Sequence, residues 1–137
     1  MGNSNYPDMP LTNPVNDAEA ISHTLHTAGF DVTLKTNLNQ KDMISTIRDF
    51  GERLTQGGVA LFYYSGHGTQ VKGENYLIPI GADIRKESDI ELEAVNAQRI
   101  LAEMENARSR MNVVILDACR DNPFPEVYAL LQKGLRK

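Results

Sequence analysis

The stretch Val59–Gly68 reads VALFYYSGHG and begins as a nearly continuous run of β-branched and aromatic side chains. Gly57 and Gly58 precede this run, and small polar residues and glycines follow Tyr64. A short apolar run that is bounded by glycines is typical of a strand buried on both faces, as in a parallel sheet covered by helices. The sequence therefore predicts a central parallel strand over Val59–Tyr64.

Helical and strand-like segments alternate along the rest of the chain. Apolar residues recur at spacings of three and four from about Asn13 to Gly29, from Asn39 to Gly57 and from about Asn96 to Ala107, which predicts three amphipathic helices. Further strands are predicted over Phe30–Leu34 and Val113–Leu116. Strands that alternate with helices indicate an α/β sandwich of three layers with a mainly parallel sheet.

Two shorter segments complete the predicted arrangement. Thr69–Val71 and Tyr76–Ile80 flank Lys72, Gly73 and Glu74, and this pattern predicts a hairpin that extends beyond the central strand. Glu87–Glu93 is strongly acidic, but it lacks the alternating ligands and the glycine of a calcium loop. We interpret that segment as a solvated loop.

The segment from Met1 to Asn13 contains no strand ahead of the first helix, although strict alternation requires one. In a doubly wound sheet of flavodoxin-like order the first strand lies between the second and the third. We therefore expect the Phe30–Leu34 strand to lack its natural neighbour, so that this edge pairs again elsewhere or another segment supplies the strand.

Composition narrows the class of protein. The 137 residues are 41% hydrophobic, which fits one domain, interpreted here as a single truncated domain over residues 1–137. The 18 acidic and 14 basic residues give a net charge of −4 without a basic stripe, so nucleic acid is not an expected partner. No apolar run reaches the roughly 18 residues that span a bilayer, and we expect a cytoplasmic protein without a membrane contact.

Polar residues that can take part in catalysis follow both buried strands. His67 lies shortly after the central strand, and Cys119, the one cysteine of the chain, follows Val113–Leu116. A thiol with a pKa near 8.5 is mostly protonated at neutral pH, so a nucleophilic cysteine needs a neighbouring base. Each residue alone is usually structural. Together they predict a nucleophile and its base, with the amides of Gly68 and Cys119 as donors to an oxyanion.

Two motifs carry a resemblance to a known family. Phe62–Gly68, FYYSGHG, and Leu116–Phe124, LDACRDNPF, resemble the His and Cys signatures of the caspase-like clan, which comprises caspases, metacaspases and paracaspases, and bacterial caspase-like proteins above all. The resemblance extends from about Gly2 to Phe124. It implies a caspase-hemoglobinase-like α/β sandwich and cysteine endopeptidase activity through a dyad of His67 and Cys119. The first strand and the small-subunit-like half of the family are not recognised in the chain.

The resemblance also implies a substrate. Caspases that cut after aspartate carry Gln two positions before the nucleophile, where this chain has Asp117. Metacaspases and paracaspases cut after Arg or Lys and use a second acid at the start of the first helix, which Asp17 matches. The expected partner is a protein or peptide with a basic residue before the scissile bond, and a homodimer or an association with a small-subunit-like half stays open.

Other functions fit the sequence less well. His23 and His26 are spaced as metal ligands on a helix, but no further His or Cys is near them in sequence, so neither a metal nor another cofactor is expected. A catalytically deficient caspase-like fragment that acts as a regulatory or assembly module is the alternative to an enzyme. A flavodoxin-like binding domain is less favoured, because no glycine-rich phosphate loop follows a strand.

Overall fold

The computed structural model describes residues 1–119, so predictions that concern Arg120–Lys137 lie outside the described part. Four helices and four strands are described there. They are α1 (Pro14–Thr27), α2 (Gln40–Arg53), β1 (Val59–Val71), β2 (Glu74–Leu77), α3 (Glu87–Glu93), β3 (Val95–Asn96), α4 (Gln98–Ala107) and β4 (Met111–Cys119).

The four strands form one sheet in the order β3-β2-β1-β4. β1 and β4 pair in parallel, whereas the pairs β1–β2 and β2–β3 are antiparallel. The predicted α/β fold is therefore confirmed, and its sheet is mixed. β1 does not end at Tyr64 but continues to Val71, because the hairpin with β2 extends its pairing. Lys72 and Gly73 form the turn with φ values of 51° and 80°, as a tight hairpin turn requires.

The main core lies between β1 and the pair of helices α2 and α4. Alternate residues of a strand share a face, and Ala60, Phe62 and Tyr64 of β1 are buried on this one. The helices contribute residues four positions apart, which lie above one another on one helical face. These helical core residues are Met43 and Ile47 of α2 and Ile100 and Met104 of α4.

Helix ends follow the sequence in part. The Asn39 side chain accepts a hydrogen bond from the Asp42 N–H at 2.9 Å, as expected of the residue that begins α2. Asn13 makes no such bond at the start of α1. The Ser4 hydroxyl accepts instead from the Val15 N–H at 3.0 Å, so a residue distant in sequence satisfies this donor. No helix within residues 1–119 is both long and apolar enough to cross a bilayer.

The interpretation of Glu87–Glu93 as a loop was wrong. The segment forms α3, and the Asp89 carboxylate accepts hydrogen bonds from the backbone of Arg85 and Lys86 ahead of the helix. Ile90 is fully buried in a second core cluster beside β2. A single buried anchor and a local cap hold this short helix, and a seven-residue segment offers too few turns for a periodic pattern to reveal it.

The strand predicted over Phe30–Leu34 is also wrong as a regular element. Gly2 forms parallel bridges with both Thr36 and Ser65, so the backbone of Met1–Asn3 lies between the two segments. Two strand spacings of about 4.8 Å therefore separate them at this level. Further from Met1, a cavity of about 270 Å³ lies between residues 30–33 and the start of β1. Residues 30–34 form no regular ladder because this width keeps them from direct pairing with β1.

Gly2 and Gly68 occur where two segments approach closely. A Cβ atom at Gly2 would lie 2.5 Å from the Pro14 carbonyl oxygen, so a glycine lets the N-terminal backbone pass against α1. A Cβ at Gly68 would lie 2.8 Å from the Ala118 Cβ, between β1 and β4. Both contacts are shorter than side chains tolerate without movement.

Ile100 and Leu101 are adjacent in α4 and form a matched pair for a test of the core. Ile100 is 0% exposed and Leu101 is 36% exposed. We expect Ile100→Ala to lower the free energy of unfolding by about 2–5 kcal/mol, because it leaves a cavity that the core cannot fully close. Leu101→Ala is expected to cost under about 1 kcal/mol. Urea denaturation of both variants measures the difference, and equal losses would contradict this assignment of the core.

The contact between Gly68 and Ala118 permits a double-mutant test. Gly68→Ala is expected to lower the free energy of unfolding by about 1–3 kcal/mol, because two methyl groups then compete for one space. Ala118→Gly removes the opposing methyl group and should recover part of that loss when both changes are combined. Strictly additive effects in thermal or urea unfolding would show that the two positions do not meet.

Candidate active site

His67 and Cys119 lie side by side in the backbone of the sheet. The parallel pairing of β1 with β4 runs without offset from Val59 opposite Met111 to His67 opposite Cys119. Cα atoms in register on neighbouring strands are about 5 Å apart. The two strand-end motifs predicted from the sequence are therefore adjacent. His67 lies within β1 rather than beyond its end, and the side chain of Cys119 lies outside the described part of the structure.

The His67 imidazole is fully buried and is oriented by a backbone carbonyl. Its Nε2 atom is 2.8 Å from the Met9 carbonyl oxygen. Because a carbonyl oxygen only accepts, this contact assigns the proton of the neutral ring to Nε2 and leaves Nδ1 with a lone pair. Nδ1 is buried and has no hydrogen-bond partner among the atoms that the structure describes. A buried lone pair of this kind can accept a proton from a neighbouring group.

Two tyrosine hydroxyls hold the backbone of His67. Tyr64 donates to the His67 carbonyl oxygen at 2.6 Å, and the Ile78 N–H donates to the same oxygen at 3.0 Å. The His67 N–H donates to the Tyr6 hydroxyl at 3.0 Å. Burial, then the nearby Tyr6 hydroxyl, raises the pKa of Tyr64 well above its ordinary value, so this group stays a donor. His67 is thus fixed at both backbone groups.

Gly66 provides the space that these hydroxyls need. A Cβ at this position would lie 2.5 Å from the Tyr64 hydroxyl oxygen and 2.8 Å from that of Tyr6. The glycine before His67 is therefore explained by the two tyrosines. The sequence pattern SGHG indicated an unusual site but gave no sign of what fills it.

Gly68, predicted as an oxyanion donor, directly follows His67 in β1 and lies opposite Leu77 of β2. The backbone groups of successive strand residues point alternately to the two edges. The His67 carbonyl bonds Ile78 on the β2 side, so the Gly68 N–H points towards the β4 side, where Cys119 ends its strand. This direction is also that of the parallel pairing with β4, so the role of the Gly68 amide as an oxyanion donor stays a prediction.

Of Asp17 and Asp117, predicted as the two acids of a substrate pocket, Asp117 contacts the Tyr63 hydroxyl directly. Tyr63 donates to an Asp117 carboxylate oxygen at 3.2 Å. Asp17 lies in the first turn of α1, which packs against β1. Partial burial raises the pKa of Tyr63, and the negative charges of Asp117 and Asp17 raise it further. Two carboxylates that are far apart in sequence therefore act on one phenol.

Tyr63, Asp117 and His67 share one face of the sheet, since positions two apart on a strand, and positions in register on its neighbour, point the same way. Sequence reasoning did not find Tyr63, nor the roles of Tyr6, Tyr64 and Met9. The two N-terminal residues reach His67 across about 60 positions, and no local pattern reports such a contact. Tyr63 and Tyr64 were visible only as aromatic members of a buried run.

His23 and His26 are both exposed on α1. Among the side chains that are described, no three of His, Cys, Asp or Glu are grouped closely enough to hold a metal ion.

Comparisons with known proteins find similarity over nearly the whole chain. The family model of the caspase domain matches residues 1–134. The chain is 30% identical over 133 residues to mucosa-associated lymphoid tissue lymphoma translocation protein 1 of Homo sapiens, covering 96% of this chain and 16% of that protein. The Mus musculus homolog is 29% identical with the same coverage.

A third relative is cell death protein 3 of Caenorhabditis remanei, which is 30% identical over 133 residues, or 91% of this chain and 24% of that protein. The chain thus spans between about a sixth and a quarter of the length of these relatives. The mixed α/β structure agrees with the resemblance that the two motifs indicated. The chain belongs to the caspase domain family, a family of cysteine peptidases.

Proposed function

We propose that this domain is a cysteine endopeptidase in which Cys119 is the nucleophile and His67 its general base and acid. The observation that carries the proposal is the register of β1 and β4, in which His67 and Cys119 are neighbours on adjacent strands. The second support is the His67 ring, whose Nε2–H is engaged by Met9 while Nδ1 keeps its lone pair. Membership in a peptidase family raises the weight of both observations.

The proposed reaction is acyl transfer through the thiol. The Cys119 sulfur attacks the scissile carbonyl carbon while its proton passes to Nδ1 of His67. The amides of Gly68 and Cys119 donate to the oxyanion of the tetrahedral intermediate. His67 then gives its proton to the departing amine as the C–N bond breaks. A water molecule, deprotonated by His67, hydrolyses the thioester and returns the thiol.

The Met9 carbonyl contributes to both proton transfers. When Nδ1 gains a proton the ring becomes a cation, and the hydrogen bond from Nε2–H to the carbonyl strengthens because its donor is now charged. The same bond fixes the rotation of the ring, which keeps Nδ1 pointed in one direction. General bases of this type typically contribute a factor of about 10²–10⁴ to the rate.

We propose that Asp17 and Asp117 select a substrate with Arg or Lys before the scissile bond. Both carboxylates act on the Tyr63 hydroxyl, which supports one shared acidic pocket. A unit charge pair about 4 Å apart at an effective dielectric constant of about 20 is worth roughly 4 kcal/mol before desolvation is subtracted. A substrate aspartate in this position would be repelled by two like charges.

Protein or peptide chains are then the substrates, and we place the domain in the cytoplasm, where a single free thiol stays reduced. We also propose that residues 1–137 form the large-subunit-like part of a catalytic domain, completed by a small-subunit-like half or by a second copy. The alternative is a regulatory or assembly module without turnover. The chain spans 16% of the length of the human relative, so the activity of that whole protein is itself a proposal for this chain.

The dyad is tested with peptides that carry a reporter group after Arg, Lys or Asp. We expect release after Arg or Lys, loss of turnover by at least about a thousandfold in Cys119→Ala, and loss by about a hundredfold or more in His67→Ala. His26→Ala, on the exposed face of α1, serves as the matched histidine control. Full turnover in Cys119→Ala would refute the dyad. Failure of a peptidyl thiol inhibitor to label folded protein would favour the module.

The acidic pocket is tested by removing charge without changing shape. Asp117→Asn and Asp17→Asn should each raise KM and lower kcat/KM for Arg peptides by about tenfold or more, and the double variant should lose the preference for basic residues. Asp83→Asn, which removes an exposed carboxylate paired with Arg85, is the control. Undiminished preference for Arg in the double variant, or cleavage after Asp by the parent chain, would disprove the pocket.

A further inference from the structure

We propose that Tyr6 is a positioning residue for His67, and that its hydroxyl group sets the place of the imidazole by bridging His67 and Ile78 at the end of the β1–β2 ladder. The inference rests on the proposed function, because it assigns a task to the proposed base. Its evidence is separate, since it comes from the contacts of Tyr6 and not from Cys119.

The hydroxyl lies where the β1–β2 ladder ends. The last pair of that ladder is Gly68 opposite Leu77, and His67 and Ile78 occupy the position of the next hydrogen-bonded pair, directly beyond the end of β2. Two such residues normally exchange two direct bonds. Here only the Ile78 N–H donates directly to the His67 carbonyl, at 3.0 Å. In place of the second bond, the His67 N–H donates to the Tyr6 hydroxyl at 3.0 Å, and that hydroxyl donates to the Ile78 carbonyl at 2.8 Å.

The inserted oxygen therefore decides the local separation of the two strands. Without it, the buried His67 N–H would lose its acceptor, and the Ile78 carbonyl would keep only the longer bonds from Tyr64 at 3.4 Å and from Asn3 at 3.5 Å. They could bond each other directly only if the backbone at His67 moved towards β2. A displacement of about 1 Å at a reacting group can cost a factor of about 100 in rate.

The same segment of chain also controls the imidazole ring. The ring centroids of Tyr6 and His67 are 4.4 Å apart with planes tilted by 59°. Met9, three residues further on, accepts the bond from His67 Nε2. A tyrosine ring at this distance favours a cation beside it, and the proposed reaction forms an imidazolium here. The segment Tyr6–Met9 thus holds His67 at its backbone, at its ring face and at one nitrogen.

A purely structural role would not require the hydroxyl. Tyr6 is buried in an apolar cluster with Val71, Ile78 and Ile90, where a phenylalanine would fill almost the same volume. A buried hydroxyl is tolerated only when it is hydrogen-bonded, and this one bonds to His67, Ile78 and Tyr64. The polar atom is placed where the proposed base needs support.

The test compares Tyr6→Phe with Tyr76→Phe in the full chain. Tyr76 is equally buried, and its hydroxyl bonds Glu74 rather than His67. The first measurement is the nitrogen NMR spectrum of the imidazoles across pH, in which the exposed His23 and His26 are internal references. The second is the rate of alkylation of Cys119, the one thiol of the chain, as a function of pH.

In Tyr6→Phe we expect the His67 signals to shift while those of His23 and His26 stay unchanged. Alkylation of Cys119 should slow by about tenfold to a hundredfold near neutral pH. Tyr76→Phe should change neither measurement. Tyr6→4-aminophenylalanine keeps a polar group at the same place, but its nitrogen accepts more weakly than the hydroxyl, so the rate and the His67 spectrum should lie between those of the parent chain and those of Tyr6→Phe.

Unchanged His67 signals in folded Tyr6→Phe would overturn the proposal. If Tyr6→Phe does not fold, the 4-aminophenylalanine variant decides alone, because its weaker acceptor should still shift the His67 signals, and identical spectra would count against the idea. The two proposals fail in different ways. If His67→Ala leaves the Cys119 alkylation rate unchanged, the dyad fails, while the imidazole spectrum still reports whether Tyr6 positions His67.

Discussion

The structure depends on the parallel pairing of β1 with β4 in one register. Nine consecutive residue pairs, from Val59 opposite Met111 to His67 opposite Cys119, fix the relation of the two motifs. A slip by one residue would turn every side chain of one strand to the other face, and would expose the Ala60, Phe62 and Tyr64 face that packs against α2 and α4. Burial of the core thus enforces the register, and the register brings the imidazole-bearing position next to the cysteine position.

The residues around His67 set the orientation of its side chain, which the strand register alone does not determine. Parallel pairing sets the Cα atoms, but the direction of an imidazole depends on its own contacts. Tyr64 and Tyr6 hold the backbone, Met9 holds Nε2, and Gly66 leaves room for the two hydroxyls. On the same face of the sheet, the Tyr63 hydroxyl donates to Asp117, and the charge of Asp17 also contributes to the raised pKa of Tyr63. Core packing, local hydrogen bonds and charge thus act together on the residues near His67 and Asp117.

The parts that could be predicted from sequence are those with a local cause. Asn39 begins α2 because its side chain caps the first turn, and Val59–Tyr64 is a strand because a short apolar run between glycines is buried on both faces. The failures have non-local or very short causes. Residues 30–34 form no ladder because Met1–Asn3 stands between them and β1 at one end only, and α3 is too short for periodicity. The hydroxyl of Tyr6 acts across 61 residues, a separation that no pattern encodes.

The register is tested most directly by His67→Cys, since the parent chain has a single cysteine. Positions in register on adjacent strands have Cα atoms about 5 Å apart, within the range that a disulfide spans. The account predicts that mild oxidation converts this variant to a monomer with one internal disulfide and no free thiol by mass spectrometry. Tyr63→Cys, about 13 Å further along β1, should keep two free thiols. Two free thiols in His67→Cys, or an internal disulfide in Tyr63→Cys, would contradict the pairing on which the site is built.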